Sequence, residues 1–346
     1  MDSNINKYLK KNKCFIIAEI GLSHEGSLGV AVKMIEKAAK CGVDAVKFQT
    51  HLAEFESSEL EKFRLKNTTQ DNSRFDYWKR TSFKKSEWKV IKKTCDENNV
   101  CFMSSPFSVQ AAELLEEINI PIWKISSGDI NNYPLLNYIE KTKKPIFLSS
   151  GMSGYDEISN TLDYLKNSRD NILLFQCTNS YPCIPEEIGY GEINNLNKLF
   201  KIPIGLSDHS GHPASGIAAY TLGAQAIEVH VTWSKDYFGP DVSSSLTFDE
   251  LKLMTDSIRF LERGLHVSYS KNKLIESHNG IRNLFMKGIY LSKSLKNGHV
   301  LKYEDLSFKK PLSSIPASNY KAIIGQKLKN DLSENHPLSK DDFIGK

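Results

Sequence analysis

Phe15-Ile16-Ile17-Ala18-Glu19 is an apolar run that ends on a carboxylate, and seven later runs along the chain have the same form. Ala45 and Val46 lead to Lys47 and Gln49, Cys101 to Met103 lead to Ser104 and Ser105, Ile122 and Trp123 precede Lys124, and Pro145 to Leu148 precede Ser149. Ile172 to Phe175 lead through Cys177 to Asn179, Ile202 to Leu206 precede Ser207, and Ala226 to Val229 precede His230. Segments of helical spacing lie between these runs. Such alternation predicts parallel strands joined by helical crossovers, and about eight units close a (β/α)₈ TIM barrel. Catalytic groups in such a barrel sit at the C-terminal ends of the strands, so the polar endings predict one shared mouth.

The first crossover, Leu28 to Cys41, spaces Val30, Met34, Ile35 and Ala38 by three and four, with Gly42 at a stop position. Further helices are predicted over Ser86 to Asn98, Val109 to Ile118, Asn132 to Lys141, Tyr155 to Lys166, Glu186 to Phe200, Pro213 to Leu222 and Asp249 to Arg263. The polar excursion from Glu54 to Arg80, with Phe75, Tyr77 and Trp78 near its end, is too long for an ordinary connection. It reads either as a substrate lid or as a packed surface loop.

The alternation stops near Gly264. Residues 1–264 therefore read as the barrel, the polar stretch 265–281 as a linker, and 282–346 as a small, mostly β module. In that module Lys287 to Leu291 reads as a strand, Asn297 and Gly298 as a turn, and Phe308 to Pro311 is basic; no internal repeat is evident.

The chain has 346 residues, more than the roughly 250 of a typical barrel. Its 40% apolar and 25% charged residues are ordinary for a globular protein, and a dispersed net charge of +4 argues against a nucleic-acid partner. The N-terminus is lysine-rich with no apolar core behind it, and no stretch approaches the roughly 20 apolar residues of a membrane span, so a cytoplasmic protein is expected. Cys14, Cys41, Cys95, Cys101, Cys177 and Cys183 fall singly and read as buried free thiols.

His209 closes the run Gly205-Leu206-Ser207-Asp208, and His230 closes the next strand. Neighbouring barrel strands lie about 4.8 Å apart, so both imidazoles can share one divalent ion and leave positions open for water and substrate. A lone histidine more often bonds within its own loop, but two on consecutive strands, with Asp208 and Glu228 close by, favour a metal. Lys47 and Lys124 follow apolar residues, and a buried ammonium requires a partner. A bound anion among the small donors Ser105, Ser126, Ser127, Gly128, Ser149, Gly151 and Ser207 meets that requirement. A Schiff-base lysine or half of a buried ion pair are the alternatives. Glu19 is the best proton-transfer carboxylate, and its alternative role is to neutralise a neighbouring lysine.

Taken together these residues resemble the sialic acid synthase family, whose members condense phosphoenolpyruvate with an N-acylated amino sugar. The resemblance runs through Ala18 to Ser27, Lys47 to His51, Ser104 to Ser108, Lys124 to Gly128, Leu148 to Met152, Cys177 to Pro182, Gly205 to His209, Glu228 to His230 and Gly239 to Asp241. Leu295 to Leu301 and Lys309 to Pro311 resemble the antifreeze-like (SAF) domain that these synthases carry. The resemblance implies that His209 and His230 hold Mn²⁺, with Mg²⁺ or Co²⁺ as alternatives. It implies that Lys47, Ser105, Lys124, Ser127, Ser149 and Ser207 bind phosphoenolpyruvate, and that Gln49, Asp129, Asn179, Tyr181 and Asp241 contact the open-chain sugar. It further implies a domain-swapped homodimer in which Lys310 reaches the neighbouring subunit's site, and a role in surface polysaccharide biosynthesis.

Three positions depart from the family pattern. Lys310 stands where an arginine is usual, and lysine cannot reproduce a planar, bidentate contact. Asp129 is shorter than the frequent glutamate, and Ser23 replaces a common asparagine. The resemblance implies N-acetylneuraminate or a bacterial relative such as legionaminic or pseudaminic acid as the product, without selecting among them. A 3-deoxy-octulosonate phosphate synthase-like barrel is the competing enzyme. It requires an extra cationic pocket, whereas the sugar-side residues here are neutral or acidic. A non-catalytic sugar-binding barrel is the other alternative, disfavoured by the presence of Glu19, both lysines and both histidines.

Overall fold

The computed structural model describes residues 4–64 and 70–344. Strands β1 (Phe15–Gly21), β2 (Ala45–Thr50), β3 (Cys101–Pro106), β4 (Trp123–Ile125), β5 (Ile146–Ser149), β6 (Ile172–Cys177), β7 (Ile204–Asp208) and β8 (Ala226–Thr232) pair in parallel in chain order. β1 also pairs with β8, which closes the barrel. A short strand not expected from the sequence, β9 (Ser245–Thr247), runs parallel to the end of β8.

Alternation along each strand sorts its side chains between two environments. Phe15, Ile17, Ala45, Met103, Ile122, Phe147, Leu173, Phe175 and Ala226 cluster inside the barrel. Their neighbours Ile16, Ala18, Val46, Phe102, Trp123, Leu148, Leu174, Ile227 and Val229 pack outward under the helices. Continuing the inward parity brings Glu19, Lys47, Ser105, Lys124, Ser149, Cys177, Ser207, Glu228 and His230 above the apolar plug. Gly205 admits the Phe175 ring, because a Cβ there would lie 2.6 Å from Phe175 Cε1.

The strands run further than their apolar runs suggest: Glu19, Lys47, Lys124 and His230 lie within strands rather than just after them. The charges are matched inside the barrel, Glu19 with Lys47 on the adjacent strand and Lys124 with Glu228 across the barrel, which lets the strands continue through them. Helix Leu28–Lys40 begins at Ser27, whose side chain accepts from Val30 N, and it buries Ala31, Met34, Ile35 and Ala38. The long excursion is a packed element. It contains helices Ala53–Glu56 and Arg74–Thr81, and Tyr77 and Trp78 are buried against Leu22 and Ala53. Its residues 65–69 lie outside the described residues. Among the described residues no helix is long and apolar enough to cross a membrane.

Contacts divide the chain into a first unit, Met1–His266, and a second, Val267–Lys346. The stretch expected to be a linker instead carries helix Lys271–Ser277 and the start of helix Asn279–Phe285. Leu274, Ile275 and Ile281 recur there at helical spacing within the polar sequence.

In the second unit β10 (Gly288–Leu291) pairs antiparallel with β11 (Leu306–Lys309) over a core of Ile289, Leu291, Leu301, Ile323, Leu328 and Leu338. Contrary to the sequence reading, this module contains a repeat. Leu295 and Leu332 exchange both backbone hydrogen bonds at 2.9 Å. Three residues on, Gly298 and Asn335 both adopt positive φ, 85° and 63°. Then His299 bonds Asp305 at 2.8 Å, as His336 bonds Asp342 at 3.1 Å. Each aspartate also accepts the backbone N–H three residues before it, at Lys302 and Ser339.

Candidate active site

Strand register places Glu19 beside Lys47 on one side and His230 on the other. Lys47 Nζ lies 2.7 Å from Glu19 Oε2 and 3.7 Å from Glu228 Oε1, and Lys124 Nζ lies 3.4 Å from the same Glu228 oxygen. All four side chains are at most 6% exposed. Their charges balance within the barrel, so the lysines meet their partner requirement with carboxylates of this chain rather than depending on an anion. The contact pairs Glu19 with Lys47 and is compatible with either of the two roles read for it from the sequence.

The two lysines are not equivalent. Burial opposes the Lys47 ammonium, but Glu19 and Glu228 outweigh it and hold its pKa above the ordinary lysine value. Burial dominates at Lys124, which shares Glu228 and faces Lys47, and its pKa is lowered. Burial alone would raise Glu228; Lys124, Lys47 and His230 instead draw it down to about 2.

Hydroxyls ring this quartet. Ser149 Oγ is 2.6 Å from Lys124 Nζ, Ser105 Oγ is 3.5 Å from Lys47 Nζ, and Ser207 donates to Glu228 at 3.1 Å. Ser127 Oγ accepts Gly151 N at 3.0 Å. Gly21 follows Glu19 at a register shift in β1 with φ of 53°, and a Cβ there would stand 3.3 Å from Glu19 Oε1. Glycine therefore keeps this approach to the carboxylate clear.

Above the quartet the His209 and His230 rings lie 5.4 Å apart. His209 Nδ1 donates to Thr178 O at 2.8 Å, which leaves the Nε2 lone pair facing Tyr181 OH at 3.0 Å. Burial first, then neighbouring His230, lowers the His209 pKa to about 3, so its ring is neutral. A neutral imidazole whose other nitrogen is tied to a carbonyl is the form a metal ligand takes. Among the described residues no third His, Cys, Asp or Glu completes a cluster. The donor set thus fits a divalent ion held by two imidazoles with its remaining positions open.

The same cleft, of about 490 Å³, is lined by the proposed catalytic, phosphoenolpyruvate and sugar residues of the barrel, including Gln49, Asp129, Asn179, Tyr181 and Asp241, whereas Gly151 does not line it. Gln49 Nε2 donates to Glu19 Oε1 at 3.1 Å. Asp129 accepts from Ser126 and Asn132 at 2.6 and 3.0 Å. Asp241 Oδ2 is 3.9 Å from His230 Nδ1. Lys310 belongs to the second unit, where its ammonium lies 4.9 Å from the Phe285 ring centroid.

Three groups of cleft residues lie outside the sequence-based site assignment. Glu228 is the hub of the quartet, and its spacing two before His230 on one strand already carried the signal. Arg64 bonds Asp241 at 2.6 Å and covers the Tyr181 ring at 4.0 Å, while Arg74 pairs with Glu61 at 3.2 Å. The cleft beside the neutral or acidic residues Gln49, Asp129, Asn179, Tyr181 and Asp241 therefore also holds cations that the sequence reading did not include, each matched to a carboxylate. His51 and Glu56 form the third group.

Residues 34–268 match the NeuB family and 287–344 match the SAF domain. The chain is 35% identical to the N,N'-diacetyllegionaminic acid synthase of Campylobacter jejuni over 91% of this chain and 95% of that protein. It is 36% identical to the N-acetylneuraminate-9-phosphate synthase of Homo sapiens over 74% of this chain and 72% of that one. Among solved structures, the N-acetylneuraminic acid (sialic acid) synthetase of Leptospira borgpetersenii in complex with citrate superposes with a TM-score of 0.68 at 29% identity, covering 78% of this chain and 93% of that chain.

Proposed function

Since this chain belongs to the NeuB family, we propose that it condenses phosphoenolpyruvate with an open-chain N-acylated hexosamine and water, giving a nine-carbon 2-keto-3-deoxy acid and phosphate. N-acetylmannosamine and 2,4-diacetamido-trideoxyhexoses are the acceptors of this class. The observation that carries the reading is the buried quartet of Lys47, Lys124, Glu19 and Glu228 set beneath the His209–His230 pair.

In this reaction the carboxylate and phosphate of phosphoenolpyruvate sit against Lys47 and Lys124, with hydroxyl donors from Ser105, Ser127, Ser149 and Ser207. His209 and His230 would hold Mn²⁺, or Mg²⁺ or Co²⁺ in its place, and when bound it would supply Lewis-acid polarisation of a carbonyl. C3 of phosphoenolpyruvate forms the new bond to the aldehyde carbon, water adds at C2, and the C2–O bond to phosphate breaks. Glu19 takes one proton from the added water and passes it to the aldehyde oxygen, which becomes the new hydroxyl, while the other proton of the water leaves with the phosphate as the C2 ketone forms. Gln49, Asp129, Asn179, Tyr181 and Asp241 orient the acceptor chain.

Among the described residues, Arg64 and Arg74 beside the cleft are each paired with a carboxylate, Asp241 and Glu61, which supports an acceptor without a second phosphate. An unphosphorylated amino sugar is therefore the assigned acceptor. We further assign the reaction to the cytoplasm and to a homodimer in which the SAF domain's Lys310 meets the partner's acceptor site. The test offers purified protein phosphoenolpyruvate, Mn²⁺ and a panel of N-acylated hexosamines, with phosphate release and product mass as readouts. Release with a 2-acetamido or diacetamido sugar is expected; release with none of them rules the proposal out.

A further inference from the structure

Behind the acceptor side, a chain of hydrogen bonds leads from the excursion to the proton-transfer carboxylate. Glu56 Oε1 lies 2.6 Å from His51 Nδ1, His51 Nε2 lies 3.2 Å from Gln49 Oε1, and Gln49 Nε2 lies 3.1 Å from Glu19 Oε1. The His51 ring is stacked on Trp78 at 3.9 Å and on Phe107 at 4.3 Å, both within 11° of parallel. Ser82 Oγ donates to the His51 carbonyl at 2.7 Å, which pins its backbone as well.

The chain has a direction. An ionised Glu19 only accepts, so the Gln49 amide must present its NH₂ to it, and Gln49 Oε1 must then accept from the other side. That acceptance requires a proton on His51 Nε2. The aromatic sandwich holds the ring plane, and a further proton between Nδ1 and Glu56 Oε1, 2.6 Å apart, fills the other side of the ring. Without the His51 N–H only the Glu19 contact holds the amide, and the Gln49 carbonyl oxygen loses the donor that opposes its turning toward the Glu19 carboxylate.

We propose that His51 is a positioning residue that fixes the orientation of Gln49 and, through it, the placement of Glu19 beside Lys47. The excursion thereby acquires a second role: its Glu56 and Trp78 hold the group that sets the site's polarity. This proposal rests on the assignment of Glu19 as the proton-transfer group.

Phe is the diagnostic replacement, because H51F keeps the stacked ring between Trp78 and Phe107 and removes only the N–H groups. H51F is expected to lower kcat about 10–100-fold, the range seen when a supporting hydrogen bond is lost, with KM for phosphoenolpyruvate changed by less than about threefold. The double variant Q49A/H51F should then be no slower than Q49A, since the partner through which His51 acts is gone. Wild-type kcat in H51F, or multiplicative losses in the double variant, overturns the proposal. Independently, selective ¹⁵N-histidine labelling should reveal a His51 proton bonded to Nε2, a signal absent from H51F; an unprotonated Nε2 overturns it too. If the wild-type protein turns over none of the offered acceptors, the reaction assignment has failed, and the ring-proton measurement still decides the role of His51.

Discussion

Glu228 Oε1 stands 3.4 Å from Lys124 Nζ, and the same oxygen receives Ser207 and faces Lys47. One carboxylate oxygen on β8 thus reaches across the barrel to the ammonium groups of both Lys47 on β2 and Lys124 on β4. Lys47 has Glu19 as a second anion, whereas Lys124 has no other carboxylate within ion-pair distance among the described residues.

Replacing Glu228 by glutamine is therefore expected to act on Lys124 before Lys47. Breaking one side of a buried pair typically costs about 3–5 kcal/mol, and the retained Glu19–Lys47 contact should hold the loss toward the lower figure. Thermal denaturation should register that loss, and calorimetric titration should find phosphoenolpyruvate affinity reduced because Lys124 sheds its proton more readily. An unchanged melting temperature with unchanged affinity would contradict the hub role.

His209→Ala should abolish metal-dependent activity and leave a folded protein, because the ring lies above the barrel plug rather than within it. Loss of the bond to Thr178 and of the Tyr181 contact should cost about 1–3 kcal/mol. Metal titration followed by calorimetry checks the first statement and circular dichroism the second. Full turnover by this variant in the presence of a chelator would exclude a metal at this position.

Much of this site is legible in the chain itself, and the remainder is not for identifiable reasons. Period-two alternation is local, so the inward parity that carries Phe15 and Ile17 to Glu19, and Ala226 to Glu228 and His230, can be read strand by strand. Glu228 is on the correct face by that rule, and the metal reading of the adjacent histidines draws attention away from it. Which lysine meets which carboxylate depends instead on register and closure, as in the Glu19–Lys47 and Glu19–His230 pairings. Arg64, and the Glu56–His51 contact, depend on how a long polar excursion folds back over the mouth, and no periodicity encodes that path. In the second unit, the repeat shares few identities beyond Leu295/Leu332, His299/His336, Leu301/Leu338 and Asp305/Asp342, so shared hydrogen bonds reveal it more clearly than composition does.

Gly205→Ala tests the packing beneath the site. The added methyl would meet Phe175 Cε1 at 2.6 Å and Ala226 O at 2.8 Å, and overpacking of this kind typically costs about 1–3 kcal/mol. A second change, Phe175→Leu, removes the ring edge and should recover part of the loss, since the two positions are in contact and their effects are not additive. Chemical denaturation of the single and double variants measures the coupling; strictly additive losses would mean that the Phe175 edge is not the obstacle.

The second unit offers a pH-dependent test. Burial of Asp305 would raise its pKa, but His299, the Lys302 backbone N–H and Lys293 outweigh that and lower it to about 2. A carboxylate whose folded pKa lies below its unfolded value, about 3.9, contributes stability that is fully present above the unfolded value and is lost as pH falls through the folded one. Asp305→Ala should thus destabilise the module at neutral pH by about 1–3 kcal/mol through the unpaired His299 and Lys302 groups. The difference from wild type should hold from pH 8 to pH 5 and narrow between about pH 4 and 2 as the wild-type carboxylate takes up its proton. Hydrogen exchange at the Leu301 and Leu306 amides, followed across that range, reads the module separately from the barrel. A gap between the two proteins that stays constant down to pH 2 would show that the Asp305 charge contributes nothing to its fold.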